Sequence, residues 1–522
     1  MRRIALVSLC ALTLLLVNPI FAQDKSLPWP TNGWQTSSPE AQGMDSTELA
    51  AMLSTIAQQN VPIHSVLVIR NGYLVLEAYR YPYTTDDLHT VYSVTKSVTS
   101  ALFGMAVDKG LIEGGQQPML SFFPEYTPAN LDDSKKAITL DNLLTMSPGF
   151  EWPGGMNEPL LGDMMQTDDW IQYMLDRPVQ TEPGKLFVYN SGVSNILAAI
   201  VAKVAGEPLL DFAQTNLFQP LGIHSVEWAS DPQGRNLGGF GLQLTPRDMA
   251  KIGYLYLNNG QWDGQQVVSE GWVNYSTQKH IDARPLSDGY GYQWWTNMNG
   301  YYMALGYGGQ DIIVYPEKNL VVVFTSALSA PQGSIPETYL RDNILPAIKS
   351  DQPLPENPDG AAAVVEAIDI LAHPTPEAVP NLPETAAQIP GKTYHFVSND
   401  LGWDSLALTF DADSNVAQLS LNSETPLKIG LDNIAQVNHM TDAKAIFAIG
   451  FDNILRVNPV AGAEPMLIKG SWTKDNRFAI QIDLQGTVNS YLLTLTFKDQ
   501  NIQVSVRNGL SGSSVSLTGT AA

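Results

Sequence analysis

"VYSVTKSVTS", residues 91–100, crowds hydroxyls around one lysine and then runs into the apolar "ALFGMAV". On a helix, residues three apart share a face, so the Ser93 hydroxyl and the Lys96 amine can meet. A serine at a helix N-terminus also turns its own backbone N–H toward an anion forming there. The hydroxyl is inert at neutral pH and needs a base close by. A lysine is that base only where burial or a cationic neighbourhood lowers its pKa. The stretch therefore reads as a nucleophile with its base one turn away, or as a helix start with a solvated lysine. Spacing alone does not choose, because Ser276/Lys279 and Ser471/Lys474 repeat it. The first runs into a loop and the second lies among strand patterns, so both pairs are expected at the surface.

The flanks give the fold class. "SVLVIRNGYLVLEAYRY" (65–81) alternates apolar and polar residues around Asn71-Gly72, a hairpin signature. A helix is expected before it, from Ser46 to about Gln59, with Asp45 or Ser46 as cap. After Ser93 the chain is mostly helical. "SVTKSVTSALFGMAVDKG", "TLDNLLTMSPG", "SNILAAIVAKVAG" and "TPRDMAKIGYLYLNNG" each end at a glycine. Strand patterns return in "DGYGYQWWTN", "YYMALGYGG" and "DIIVYPEKNLVVVFTS". Strands thus bracket a helical middle. The expected class is α+β, the first and last strands pairing in one antiparallel sheet with helices packed on it.

The chain has 522 residues, too many for one compact core. Residues 1–22 read as an export signal, with Met1-Arg2-Arg3, an apolar run and Ala22 as a small residue for cleavage. Residues 23–350 form the first folded unit. Residues 351–390 carry Pro353, Pro355, Pro358, Pro374, Pro376, Pro380, Pro383 and Pro390 and read as a linker, with "AAAVVEAIDILAH" as a helix within it. Residues 391–522 alternate at period two between short turns, as in an all-β barrel or sandwich. This tail could shield a cleft, bind glycan or mediate assembly.

Composition removes several function classes. The formal net charge of -23 repels phosphate backbones, so nucleic acid is not an expected partner. The single cysteine, Cys10, lies inside the export signal. A mature chain without cysteine has no disulfide, thiol nucleophile or thiolate metal site. "VSLC" is a poor lipoprotein box, so periplasmic or secreted placement in a bacterium is expected, with no membrane attachment beyond the signal. The seven histidines show no metal-ligand spacing, and no metal or cofactor is expected. His64 opens the first strand, and His89 precedes the Ser93 helix. No Gly-x-Ser-x-Gly elbow is present.

Two further segments bear on Ser93. In "EPGKLFVYNSGVSNILAAIV", Tyr189 falls just before a helix, where its phenol can point at the serine; a nearby lysinium would lower its pKa. The competing reading is a strand-end aromatic with a serine cap. Ser191, two residues on, can hydrogen-bond the lysine or a substrate. In "ALGYGGQ" (304–310), a backbone N–H of Tyr307 or Gly308 could join that of Ser93 in an oxyanion hole, or the glycines form a plain turn. "TDDW" (167–170) reads as solvated loop acids. Trp152, Trp170, Trp294 and Trp295 are candidates for cleft lining or core.

In order, "YSVTKSVTSALFGMAVDKG", "ITLDNLLTMSPGF", "PGKLFVYNSGVSNILAAIVAKVAGEPL", "LFQPLGI", "GGFGLQLTPRDMAKIGYLYLNNGQW" and "GYGGQDIIVYPEKNLVVV" resemble the serine β-lactamase and penicillin-binding-protein-like family, in its class C branch. The resemblance covers about residues 35–348. It implies a β-lactamase/transpeptidase-like domain in which Ser93 is acylated, Lys96 accepts its proton and Tyr189 relays protons. It also implies an oxyanion hole from Ser93 and Tyr307 or Gly308. Two positions depart from the pattern. Serine 191 stands where the tyrosine motif has asparagine, and Gly306-Tyr307-Gly308 lacks the lysine of the family's Lys-Thr-Gly. These variants are closer to the family's esterases and 6-aminohexanoate-dimer hydrolases. The implied partner is a small ester, amide or peptide substrate. β-Lactamase, D-alanyl-D-alanine carboxypeptidase or D-aminopeptidase activity, and a non-catalytic cell-wall peptide binder, are the alternatives. The oligomeric state is left open.

Overall fold

The Asn71-Gly72 turn sets the register of the first sheet. Both residues take positive φ, 52° and 84°, and fold Ile63–Arg70 back on Tyr73–Tyr79. The computed structural model describes residues 28–399, 401–411, 414–422, 424–439, 465–509 and 512–522. The expected export signal and Cys10 lie outside them. Among the described residues no helix is long and apolar enough to cross a membrane.

Ile63–Arg70 also pairs antiparallel with Leu320–Ser326, Val68 opposite Val322. Gln310–Tyr315, Tyr302–Gly306, Trp295–Thr296 and Gly289–Tyr290 follow, making seven strands. The first and last long strands of this unit are therefore neighbours. The "DGYGYQWWTN" stretch forms two short strands instead of one. Gln293 at φ 63° reverses the chain between them, and its side chain donates to the carbonyls of Leu143 and Leu144.

Local signals place the helices. Asp45 caps Ser46–Gln58 through Thr47 N–H, and Thr145–Ser147 follow the short helix Leu140–Leu144. Asn190 caps Ser191–Ala205 by accepting from Val193 N–H at 3.1 Å. Thr245 caps Pro246–Leu257, with proline in the first turn. The helix Val94–Asp108 is buried nearly throughout. It packs between Tyr302–Gly306 of the sheet and the Ser191–Ala205 helix. That sandwiching carries the Ser93 end of the helix to the sheet's last long strands.

Within the proline-rich stretch, Pro358–Ala372 is a helix packed on Ser46–Gln58. Its Val364, Ala367 and Leu371 belong to the same hydrophobic core as the sheet. A second core fills the C-terminal strands. Among the described residues nine of these strands close into a barrel, Gly430 pairing in parallel with Lys469 to complete the ring, and Gln436–Asn438 adds to one strand. Alternation puts Phe478, Ile480 and Ile482 inside.

Of the two other Ser-x-x-Lys pairs, Ser471 and Lys474 are exposed on a strand. Ser276 departs from expectation. It is fully buried in the helix Glu270–Ser276, and its hydroxyl donates to the Val273 carbonyl at 3.2 Å.

Candidate active site

Ser93 takes the helix N-cap position, yet its hydroxyl caps no backbone N–H. It accepts instead from Lys96 Nζ at 2.9 Å. The lysine is not solvated; it is 1% exposed. Its Nζ also donates to Ser191 Oγ at 2.9 Å and to the Gly239 carbonyl at 2.7 Å. Burial lowers its pKa to about 8, against an opposing pull from the Glu158 carboxylate.

Each partner is held by its own element. Asn190 takes the capping role in front of Ser191–Ala205, which leaves the Ser191 hydroxyl free to turn inward. That hydroxyl donates to Glu158 Oε2 at 2.7 Å. Glu158 Oε1 accepts from the Ser191 backbone N–H and from Trp152 Nε1. Burial raises the Glu158 pKa, while Lys96 and these donors act the other way. Asn195 Oδ1 accepts from the N–H groups of Gly238 and Gly239, at 2.9 and 3.0 Å, which aims the Gly239 carbonyl at Lys96. A side chain at Gly238 would place its Cβ 2.0 Å from the Ser194 carbonyl oxygen, so only glycine allows this approach.

Tyr189 reaches the same cluster. Its ring centroid is 4.8 Å from Lys96 Nζ, and the ring stacks on Trp295 at 5.5 Å. The buried hydroxyl is outside hydrogen-bond geometry with its neighbours, yet the Ser93 side chain is close enough to influence its ionisation. The sequence expectation is a phenol whose pKa the lysinium lowers. Burial instead raises it well above the ordinary value, and the Glu158 carboxylate adds to the rise. The phenol is therefore held protonated.

The turn after Tyr302–Gly306 closes the other side. A Cβ on Gly306 would lie 2.3 Å from the Val91 carbonyl oxygen, two residues before Ser93. The Tyr307 ring meets the Tyr92 ring edge-on at 5.9 Å. Tyr92 itself sits at φ 46°, a costly conformation for a bulky residue, directly before Ser93. Gly308, at φ 79°, lies in the same turn. Ser93, Lys96, Tyr189 and Ser191 thus converge, and Tyr307 and Gly308 border them.

Other candidates go elsewhere. His89 joins a buried stack with His64 and Tyr83. Asp169 of "TDDW" is not a solvated acid: it caps Trp170–Leu175 and pairs with Arg235 at 2.8 Å. Trp152, Trp170, Trp294 and Trp295 are all buried, the first and last touching the cluster. Glu158 and the Gly239 carbonyl escaped the sequence reading. "GGFG" (238–241) and an acid directly before Pro159 in "MNEPLLGDMM" (156–165) are the available signals.

Residues 40–344 match the family described as Beta-lactamase. The 6-aminohexanoate-dimer hydrolase of Paenarthrobacter ureafaciens is 25% identical over 286 residues, 51% of this chain and 72% of that one. Esterase EstB of Burkholderia gladioli is 25% identical over 217 residues, 37% of this chain and 55% of that one. The solved structure of the "Putative 6-aminohexanoate-dimer hydrolase from Bacillus anthracis" superposes with a TM-score of 0.52 at 22% identity, over 62% of this chain and 89% of that one. Sheet, helices and sequence match agree: the chain belongs to the Beta-lactamase family, whose relatives found here are hydrolases of ester and amide type.

Proposed function

We propose that this protein is an exported serine hydrolase that cleaves a carboxylic ester or amide through an acyl-enzyme on Ser93. One observation carries the reading: the Ser93 hydroxyl caps nothing and meets a fully buried amine at 2.9 Å.

The hydrogen bonds around Lys96 support its role as base. Ser191 Oγ spends its proton on Glu158, so toward Lys96 it only accepts. The Gly239 carbonyl also only accepts. A neutral lysine satisfies both with its two N–H bonds. Its lone pair is left for the remaining partner, the Ser93 O–H. With a pKa near 8 the neutral amine is accessible at mild pH.

Ser93 Oγ then attacks the substrate carbonyl as its proton passes to Lys96. The oxyanion is met by the N–H of Ser93 and a second from Tyr307 or Gly308. The protonated Tyr189 phenol donates to the leaving group and is refilled from the Lys96 ammonium. In deacylation the pair returns the proton: water loses one to this relay, attacks the acyl carbon, and Ser93 leaves protonated. Residues 306–308 offer no lysine for a substrate carboxylate, which favours neutral esters and amides over β-lactams or D-alanyl peptides. An export signal at residues 1–22 would carry this activity to a periplasm or the medium, with folded units at 23–350 and 391–522 and the helix Pro358–Ala372 of the 351–390 stretch packed on the first.

Purified protein is expected to turn over p-nitrophenyl acetate or butyrate, with an acyl adduct on Ser93 visible by intact mass. Ser93→Ala should abolish both. Undiminished turnover in that variant would end the proposal.

A further inference from the structure

The barrel does not merely hang from the hydrolase unit. Its loop 485–489, between the strands Arg477–Leu484 and Ser490–Lys498, lies along residues 87–92, the segment that ends at Ser93. Gln485 Nε2 donates to Asp87 Oδ1 at 2.8 Å. The Thr90 N–H donates to the Gly486 carbonyl at 2.8 Å. The Val488 N–H donates to the Tyr92 hydroxyl at 3.2 Å. The approach is close enough to need glycine: at Gly486, φ 74°, a Cβ would lie 2.2 Å from the Leu88 carbonyl oxygen.

Val488 touches two segments at once. Its backbone holds Tyr92, the strained residue before Ser93. Its side chain, 4% exposed, packs beneath the other wall: its Cγ1 would be 2.2 Å from a Cβ on Gly308. Those two segments carry the backbone N–H groups assigned above to the oxyanion hole. Their separation decides whether both donors reach one oxygen.

We infer that Val488, on the barrel's 485–489 loop, is a positioning residue of the active site, a strut that fixes the Ser93 turn against the Tyr307-Gly308 turn. The inference rests on the Ser93 acyl-enzyme reading. A simple docking contact between units would bury the loop equally well. It would not require one residue to bond the segment leading to the nucleophile and to pack under the facing turn.

The two cases separate by kinetics. In the full-length protein, Val488→Ala removes the packing under Gly308, and Gly486→Ala lifts the loop from Leu88. Gly402→Ala is the control: it also has positive φ, 65°, in the barrel, with nothing within 4 Å of its Cβ position. Thermal melts establish that each variant is folded. The kcat for p-nitrophenyl acetate and the rate of Ser93 labelling by a fluorophosphonate are then compared. A strut predicts that kcat and labelling fall about 10-fold or more in Val488→Ala and Gly486→Ala, as misplaced donors do, while KM stays within about twofold. Gly402→Ala should match wild type. Wild-type kcat in both loop variants, or a rise in KM alone, overturns the inference and leaves the Ser93 reading standing. A wild-type protein that neither hydrolyses nor labels overturns that reading, and this inference with it.

Discussion

The Ser191 hydroxyl donates to Glu158 Oε2 at 2.7 Å and accepts from Lys96 Nζ at 2.9 Å, so a buried carboxylate governs which way the lysine's protons point. Glu158→Gln keeps the shape and removes the charge. Without that charge the Lys96 pKa falls further. The rising limb of the kcat/KM profile should move toward acid by on the order of one pH unit. A limb that stays in place would show that Glu158 acts only as packing.

The wild-type profile has a definite sign. Proton acceptance needs the neutral amine, and the Lys96 pKa lies at about 8. Turnover should climb as pH rises and level off above about 8. Equal rates at pH 5 and pH 8.5 would exclude Lys96 as the base.

Tyr189→Phe retains the stack on Trp295 and deletes the proton. It should lower kcat by about 100-fold or more. With amide substrates, whose leaving group must be protonated, the loss should exceed that with p-nitrophenyl esters. Equal losses on both substrate types would remove the phenol from leaving-group protonation.

The stack of His64, Tyr83 and His89 predicts acid sensitivity. Burial lowers both histidine pKa values, that of His89 to about 4. The unfolded chain therefore binds more protons. Stability is complete above about pH 6.5 and falls as pH drops toward 4, by up to about 1.4 kcal/mol per pH unit for each site. Melting temperature should track this window. In a folded His64→Phe/His89→Phe variant the slope should flatten; an unchanged slope would assign it to other groups.

Local chemistry made much of this molecule readable in advance. Asn71-Gly72 announced the hairpin, and Thr245-Pro246 announced a helix start. Alternation marked the barrel strands. Ser93, Lys96, Tyr189 and Ser191 stood out because each begins or borders a helix with a recognisable pattern. What stayed hidden depends on distance in the sequence. Glu158 reaches Ser191 from the junction between the single turn Gly155–Asn157 and the short helix Pro159–Met165, and the Gly239 carbonyl is a backbone atom that no residue type reveals. The Tyr189 pKa runs opposite to the sequence expectation because a neighbouring charge is visible in the sequence and burial is not.

The hydrogen bond between Tyr92 and Val488 joins residues 396 positions apart. A ribosome makes Tyr92 and Ser93 long before it makes Val488. During synthesis the growing chain thus carries Ser93 before the bond between Tyr92 and Val488 can form. On the reading proposed above, hydrolytic competence would come only after the barrel loop has folded onto the Ser93 turn, which would spare the cell a half-finished chain with a working serine.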